Sequence, residues 1–115
     1  MADFKIYHNP RCRKSREGLR ILQDNGIEPE IIDYLNDPPG FQEMDSLLKM
    51  LGKEPLDIIR KNEDVFKTKF KGKSMSRDEW INVLISYQKL IERPIVVKGE
   101  KAVLGRPPEL IRQLI

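Results

Sequence analysis

Apolar residues along this chain recur at two different periods, and the periods alternate. The first run, Phe4–Tyr7 (FKIY), sets apolar against polar as a half-buried strand does. From residue 13 the period lengthens. Leu19, Ile21 and Leu22 fall toward one side of a helix predicted over 13–25, with Gly26 where a helix ends. Residues 30–35 (EIIDYL) read as a second strand, and Pro38, Pro39 and Gly40 break the pattern. Phe41–Leu51 carries Met44, Leu47, Leu48 and Leu51 on one helical face, and Gly52 closes it. A short helix is expected over 55–61, with Leu56 and Ile59 buried. Residues 62–75 are polar, basic and without a clear period, and read as irregular. Ser76 and Glu79 form a capping-box pattern at the start of a helix bearing Trp80, Val83, Leu84 and Tyr87. Residues 95–97 and 102–104 flank Gly99 as a hairpin. Pro107 and Pro108 open a last helix with Leu110, Ile111 and Leu114 inward.

The resulting order is β-α-β, a helical block, then β-β-α. The first half requires a parallel strand pair joined by a crossover, and the second half a hairpin covered by a helix. This is a thioredoxin-like α/β plan with a helical insertion in the middle, expected as one domain over residues 1–115. In that plan a proline before the third strand, usually cis, faces the reactive cysteine. Pro94, directly before Ile95, occupies that place.

Composition narrows the function classes. The net charge is +3, and basic residues alternate with acidic ones almost everywhere, so the balance gives little support to a nucleic-acid surface. No segment is long and apolar enough for a membrane span or a signal-peptide core. A single histidine and a single cysteine exclude the usual zinc clusters and an internal disulfide framework, and they suit a reducing cytoplasm. No glycine-rich nucleotide loop is present. The expectation is therefore a cytoplasmic protein with no metal, flavin or nucleotide cofactor.

The candidate chemistry lies in HNPRCRKS, residues 8–15. Cys12 falls at a strand-to-helix turn, where free backbone N–H groups and the helix dipole favour a thiolate. His8, Arg11, Arg13, Lys14 and Arg16 surround it in sequence, and cationic neighbours stabilise a thiolate further and attract anions. The spacing is C-x-x-S, so Ser15 stands where a dithiol enzyme carries its second cysteine. With no resolving thiol in the chain, any redox cycle needs an external one. Ser15 could point its hydroxyl at the sulfur or at a bound oxyanion, or bond within its own helical turn. His8 could lower the thiol pKa or shape the loop.

HNPRCRKSREGL, NGIEPEIIDYL, the Pro38–Pro39 pair, IIRKNE, LIERPIVVKG and LGRPPE together resemble the glutaredoxin-coupled arsenate reductase family, nearly end to end. The form looks closest to its short chromosomal members, while residues 66–74 (FKTKFKGKS) match least well. The resemblance implies a thioredoxin-like fold with a helical insertion. It also implies Cys12 as the catalytic nucleophile, Arg60, Arg93 and Arg106 as oxyanion ligands, and His8, Ser15 and Pro94 as supporting residues. As the resemblance has it, arsenate forms a covalent adduct on Cys12, and glutathione and glutaredoxin then act as external reductants. Arginine suits that task, since its planar, permanently charged fork matches an oxyanion.

Two other readings remain open at this stage. A monothiol oxidoreductase acting on glutathione mixed disulfides would need Cys12 but little from Arg60. A redox-regulatory interaction protein of the transcription-regulator type would normally carry C-x-x-C. A phosphatase-type arsenate reductase would need an arginine where this chain has Gly18.

Overall fold

A computed structural model describes residues 3–115, which form two compact units: residues 3–37 together with Arg93–Ile115, and Pro38–Glu92.

The first unit is built on a four-stranded sheet in the order β2-β1-β3-β4. Its strands are β1 (Phe4–Tyr7), β2 (Glu30–Ile32), β3 (Ile95–Lys98) and β4 (Lys101–Leu104). β1 runs parallel to β2 and antiparallel to β3, and β3 pairs with β4 as the predicted hairpin. Gly99 makes the two-residue turn possible: its φ of +60° is a conformation that costs other residues a steric clash. Helix α1 (Arg13–Asp24) connects β1 to β2, and a 3₁₀ helix over Pro108–Leu114 follows β4. Phe4, Ile6 and Val96 from the sheet meet Leu22 of α1 and Ile111 and Leu114 of the C-terminal segment in one buried cluster. This is the predicted thioredoxin-like arrangement of a parallel β-α-β half and an antiparallel β-β-helix half.

Several boundaries differ from the sequence-based expectation. β2 ends at Ile32 rather than at residue 35 because Asp33 turns the chain. The Asp33 carbonyl accepts the backbone N–H of Asn36 and Asp37, and its carboxylate accepts the Asn36 side chain at 2.7 Å. α1 stops one residue short, with Asn25 as its cap and Gly26 at φ +77° beyond it. The final helix is 3₁₀ rather than α, and Leu110 is only half-buried, whereas Ile111 and Leu114 are buried.

The second unit contains α2 (Phe41–Leu51), a 3₁₀ turn over Pro55–Ile58, α3 (Asp64–Lys69), α4 (Arg77–Ser86) and a 3₁₀ turn over Gln88–Leu90. The capping box at α4 is present in both directions, Glu79 N–H to Ser76 Oγ and Ser76 N–H to Glu79 Oε1. Arg77 of α4 pairs with Asp45 of α2. The expected 55–61 helix is shorter, and of its two expected buried residues Ile59 is buried and Leu56 is not. Leu56 is 39% exposed, while Ile58 is fully buried and Ile59 is extended, bridging to Ile91. The stretch 62–75 is irregular only in part. It holds α3, and its Phe66 and Phe70 are buried against Trp80, with ring centroids 6.3 and 6.2 Å from the indole. Its lysines stay exposed around this aromatic anchor, which is why composition alone reads as loop.

Candidate active site

Cys12 is the N-cap of α1 and the free cysteine of the chain, partly exposed. Its backbone is extended (φ −94°, ψ 123°), and its carbonyl already accepts Arg16 N–H as the first helical bond. The sulfur therefore sits over the unsatisfied first turn, where N–H groups and the dipole favour negative charge. Partial burial pushes the Cys12 thiol up. Against it act the backbone N–H groups of Ser15 and Lys14 and the hydrogen bond and charge of the Arg93 guanidinium, and together they hold the thiol below the ordinary cysteine range.

The loop before Cys12 is fixed by a small buried network. Ser15 is fully buried, its Oγ lies 2.7 Å from His8 Nδ1, and the same oxygen accepts Asn9 N–H at 2.9 Å. Asn9 in turn accepts Arg11 N–H through Oδ1, and Cys12 N–H donates to the Asn9 carbonyl at 2.9 Å. Within the protein the Ser15 hydroxyl thus takes neither the sulfur nor its own helical turn. Its hydroxyl ties His8 to the loop, and only its backbone N–H serves Cys12. Burial, then the positive charge of Arg16, pushes His8 below the ordinary imidazole value, although Asp33 and Ser15 pull the other way. With its pKa lowered, His8 shares the 2.7 Å hydrogen bond between Nδ1 and the Ser15 hydroxyl and shapes the loop. Asn9 went unnoticed in the sequence; an Asn before Pro10 with a free side-chain acceptor is the available signal.

Arg93 and Arg106 converge on Cys12 from the far end of the chain. Arg106 Nη2 lies 3.8 Å from Cys12 Sγ, and Arg106 Nε donates to the Arg93 carbonyl at 2.9 Å. Arg93 is buried, and its Nε finds no hydrogen-bond partner among the described residues. A buried guanidinium N–H without an acceptor is costly unless something anionic reaches it. The Arg93–Pro94 peptide is cis, as the thioredoxin-like plan leads one to expect, and so is Arg106–Pro107.

Arg60 belongs to the second unit. Its backbone N–H donates to the Leu90 carbonyl, and its guanidinium pairs with Glu63 at 3.1 Å and Glu92 at 3.4 Å. Gly18 is buried in α1, where a Cβ would lie 2.8 Å from both Pro94 Cγ and Ile111 Cδ1. A side chain there would have to displace Pro94 or Ile111, and the arginine that a phosphatase-type loop needs at this position is absent. Among the described residues no three His, Cys, Asp or Glu side chains gather as a metal site, and no helix is long and apolar enough to cross a membrane.

The chain is matched over residues 7–114 by the ArsC family. It is 43% identical over 113 residues to the uncharacterized protein YfgD of Escherichia coli K12, covering 96% of this chain and 95% of that one. It is 38% identical over 112 residues to an arsenate reductase of Haemophilus influenzae, covering 96% and 97%. The solved structure of an arsenate reductase from Vibrio cholerae superposes with a TM-score of 0.93 at 40% identity, covering 97% of each chain.

Proposed function

The chain belongs to the ArsC family, and from that premise we propose that it is a thiol-dependent arsenate reductase in which Cys12 is the nucleophile and Arg93 and Arg106 hold the oxyanion. One observation carries the reading: a thiol biased toward thiolate sits 3.8 Å from the Arg106 guanidinium, beside a buried Arg93 whose Nε has no acceptor among the described residues. Arsenate carries about two negative charges near neutral pH and offers several acceptor oxygens, much as phosphate does. Guanidinium forks satisfy such oxygens and keep their charge throughout.

The Cys12 thiolate attacks arsenic, a sulfur–arsenic bond forms, and water or hydroxide leaves. Glutathione thiolate then attacks the Cys12 sulfur. The sulfur–arsenic bond breaks with its electron pair passing to arsenic, which falls from the +5 to the +3 state and leaves as arsenite. The Cys12–glutathione disulfide that remains is reduced by glutaredoxin, returning the thiolate. These external thiols are needed because the chain has no second cysteine, and a reducing cytoplasm would supply them. Arg60 is the third proposed oxyanion ligand, on the strength of its IIRKN motif. His8, Ser15 and Pro94 support the Cys12 loop.

The test is NADPH consumption coupled through glutathione reductase, glutathione and glutaredoxin, with and without arsenate. Arsenate-dependent turnover that disappears in Cys12→Ser is the expected result. Turnover with a glutathione mixed disulfide but none with arsenate would leave only the monothiol reading.

A further inference from the structure

Two glycines from distant parts of the chain face the same pair of atoms. A Cβ on Gly18 would lie 2.8 Å from Pro94 Cγ and 2.8 Å from Ile111 Cδ1. A Cβ on Gly105 would lie 2.9 Å from each of the same two atoms, and 3.2 Å from Ile111 Cγ1. Neither glycine has a positive φ, so neither is required for backbone freedom, and within α1 alanine would be the better helix former. What both positions need is the absence of a side chain.

The contact joins three parts of the site. Gly18 lies in the helix whose N-terminus bears Cys12. Pro94 directly follows Arg93. Gly105 directly precedes Arg106, and its N–H donates to the Pro94 carbonyl at 2.8 Å. Packed cores do not yield smoothly to an added methyl: Ile111 Cδ1 can swing aside, but the Pro94 ring is fused to its own backbone, so a carbon at either glycine presses on the segment that carries Arg93.

We propose that Gly18 and Gly105 are positioning residues: their bare Cα atoms let Pro94 and Ile111 pack close, and that closeness sets the reach of Arg93 and Arg106 to the Cys12 sulfur. The inference rests on the proposed role of Arg93 and Arg106, but its main readout, the Cys12 titration, needs no arsenate. Failure of this idea and failure of the arsenate reading are therefore distinguishable.

Gly18→Ala and Gly105→Ala should each raise the midpoint of the Cys12 thiolate titration, followed by ultraviolet absorbance or alkylation rate against pH. Where arsenate turnover is present, kcat/KM should drop on the order of 100-fold, as small displacements of positioned groups do. Leu22→Ala is the control for instability alone. Leu22 is fully buried in the same core cluster and is absent from the glycine contacts, so its thermal midpoint should fall with the Cys12 titration unmoved. Should the single alanine variants fail to fold, Gly18→Ala and Gly105→Ala are made on Ile111→Val, which removes the Cδ1 atom while Pro94 Cγ still forces a shift. The midpoint should then rise relative to Ile111→Val alone. Folded glycine variants with a wild-type titration, or a Leu22→Ala shift of equal size, would overturn the proposal.

Discussion

Arg106 and Cys12, 94 positions apart in the chain, meet at 3.8 Å between guanidinium nitrogen and sulfur. The contact has a second anchor, because Arg106 Nε is held by the Arg93 carbonyl at 2.9 Å. One arginine is thus oriented by the backbone of the other, and both face the N-terminal turn of α1. The Cys12 thiolate is one partner for these charges, and under the proposed function an oxyanion arriving at the sulfur would be the other.

The Cys12 pKa has a consequence for stability that can be measured without substrate. The folded pKa lies below the unfolded one, so the folded state binds fewer protons between the two values and gains stability as pH rises through that window. The gain is complete above the unfolded value of about 8.5 and lost as pH falls through the folded pKa. Thermal midpoints of wild type and Cys12→Ser should therefore diverge as pH is raised toward about 8.5, with wild type gaining. Parallel curves would mean that the fold does not favour the thiolate.

His8 works in the same direction at lower pH. Its folded pKa is below the unfolded value of about 6.5, so the unfolded chain takes up the proton first and stability declines as pH drops below that value. In His8→Asn, which keeps an acceptor near Ser15, this part of the decline should vanish and the Cys12 titration should change little. A large rise of the Cys12 midpoint in His8→Asn would instead make His8 a source of charge.

How much of this was legible in the sequence depends on where the signal was local. Phe4–Tyr7, Phe41–Leu51, the Ser76–Glu79 box and the Gly99 hairpin were readable because periodicity, capping and turn chemistry act over a few residues. α3 was not, because Phe66 and Phe70 find their reason to be buried only in Trp80, in another helix. The setting of Cys12 at a strand-to-helix turn was readable, but the guanidinium charge that lowers its pKa comes from Arg93 and not from the cationic run beside it in sequence. The partners of Ser15 were not, since a hydroxyl at C-x-x-S can serve the sulfur or a histidine seven residues back, and only the folded loop chooses His8. The glycine contacts of Pro94 were invisible for the same reason: a glycine inside a helix announces a cost, not its beneficiary.

Anion binding gives a test that needs no reductant. An ion that binds only the folded state stabilises it by about 2.7 kcal/mol at a hundred times its Kd. Arsenate, phosphate or sulfate at millimolar concentration should raise the thermal midpoint, and chloride at matched ionic strength should not. The shift should shrink in Arg93→Lys. Equal shifts with all four anions would reduce the effect to ionic strength.

Arg60 should differ from the other two arginines. Its charge is already shared between Glu63 and Glu92, so a lysine there surrenders less of the field available to an oxyanion. Arg60→Lys should cost arsenate kcat/KM less than Arg93→Lys does. A loss as large as that of Arg93→Lys would mean that Arg60 exchanges its carboxylates for substrate during turnover.

In the proposed reaction Arg93 and Arg106 act on the oxyanion attacked by Cys12 and not merely on the thiol. The direct measurement is a pair of rates on Arg93→Lys and Arg106→Lys: arsenate reduction, and alkylation of Cys12 by a neutral reagent at a pH where the thiol is fully ionised. Lysine keeps the charge and loses the planar fork. Arsenate kcat/KM should fall by roughly 10- to 1000-fold with alkylation nearly unchanged. Near-full arsenate turnover in both variants, or equal losses in both rates, would contradict it.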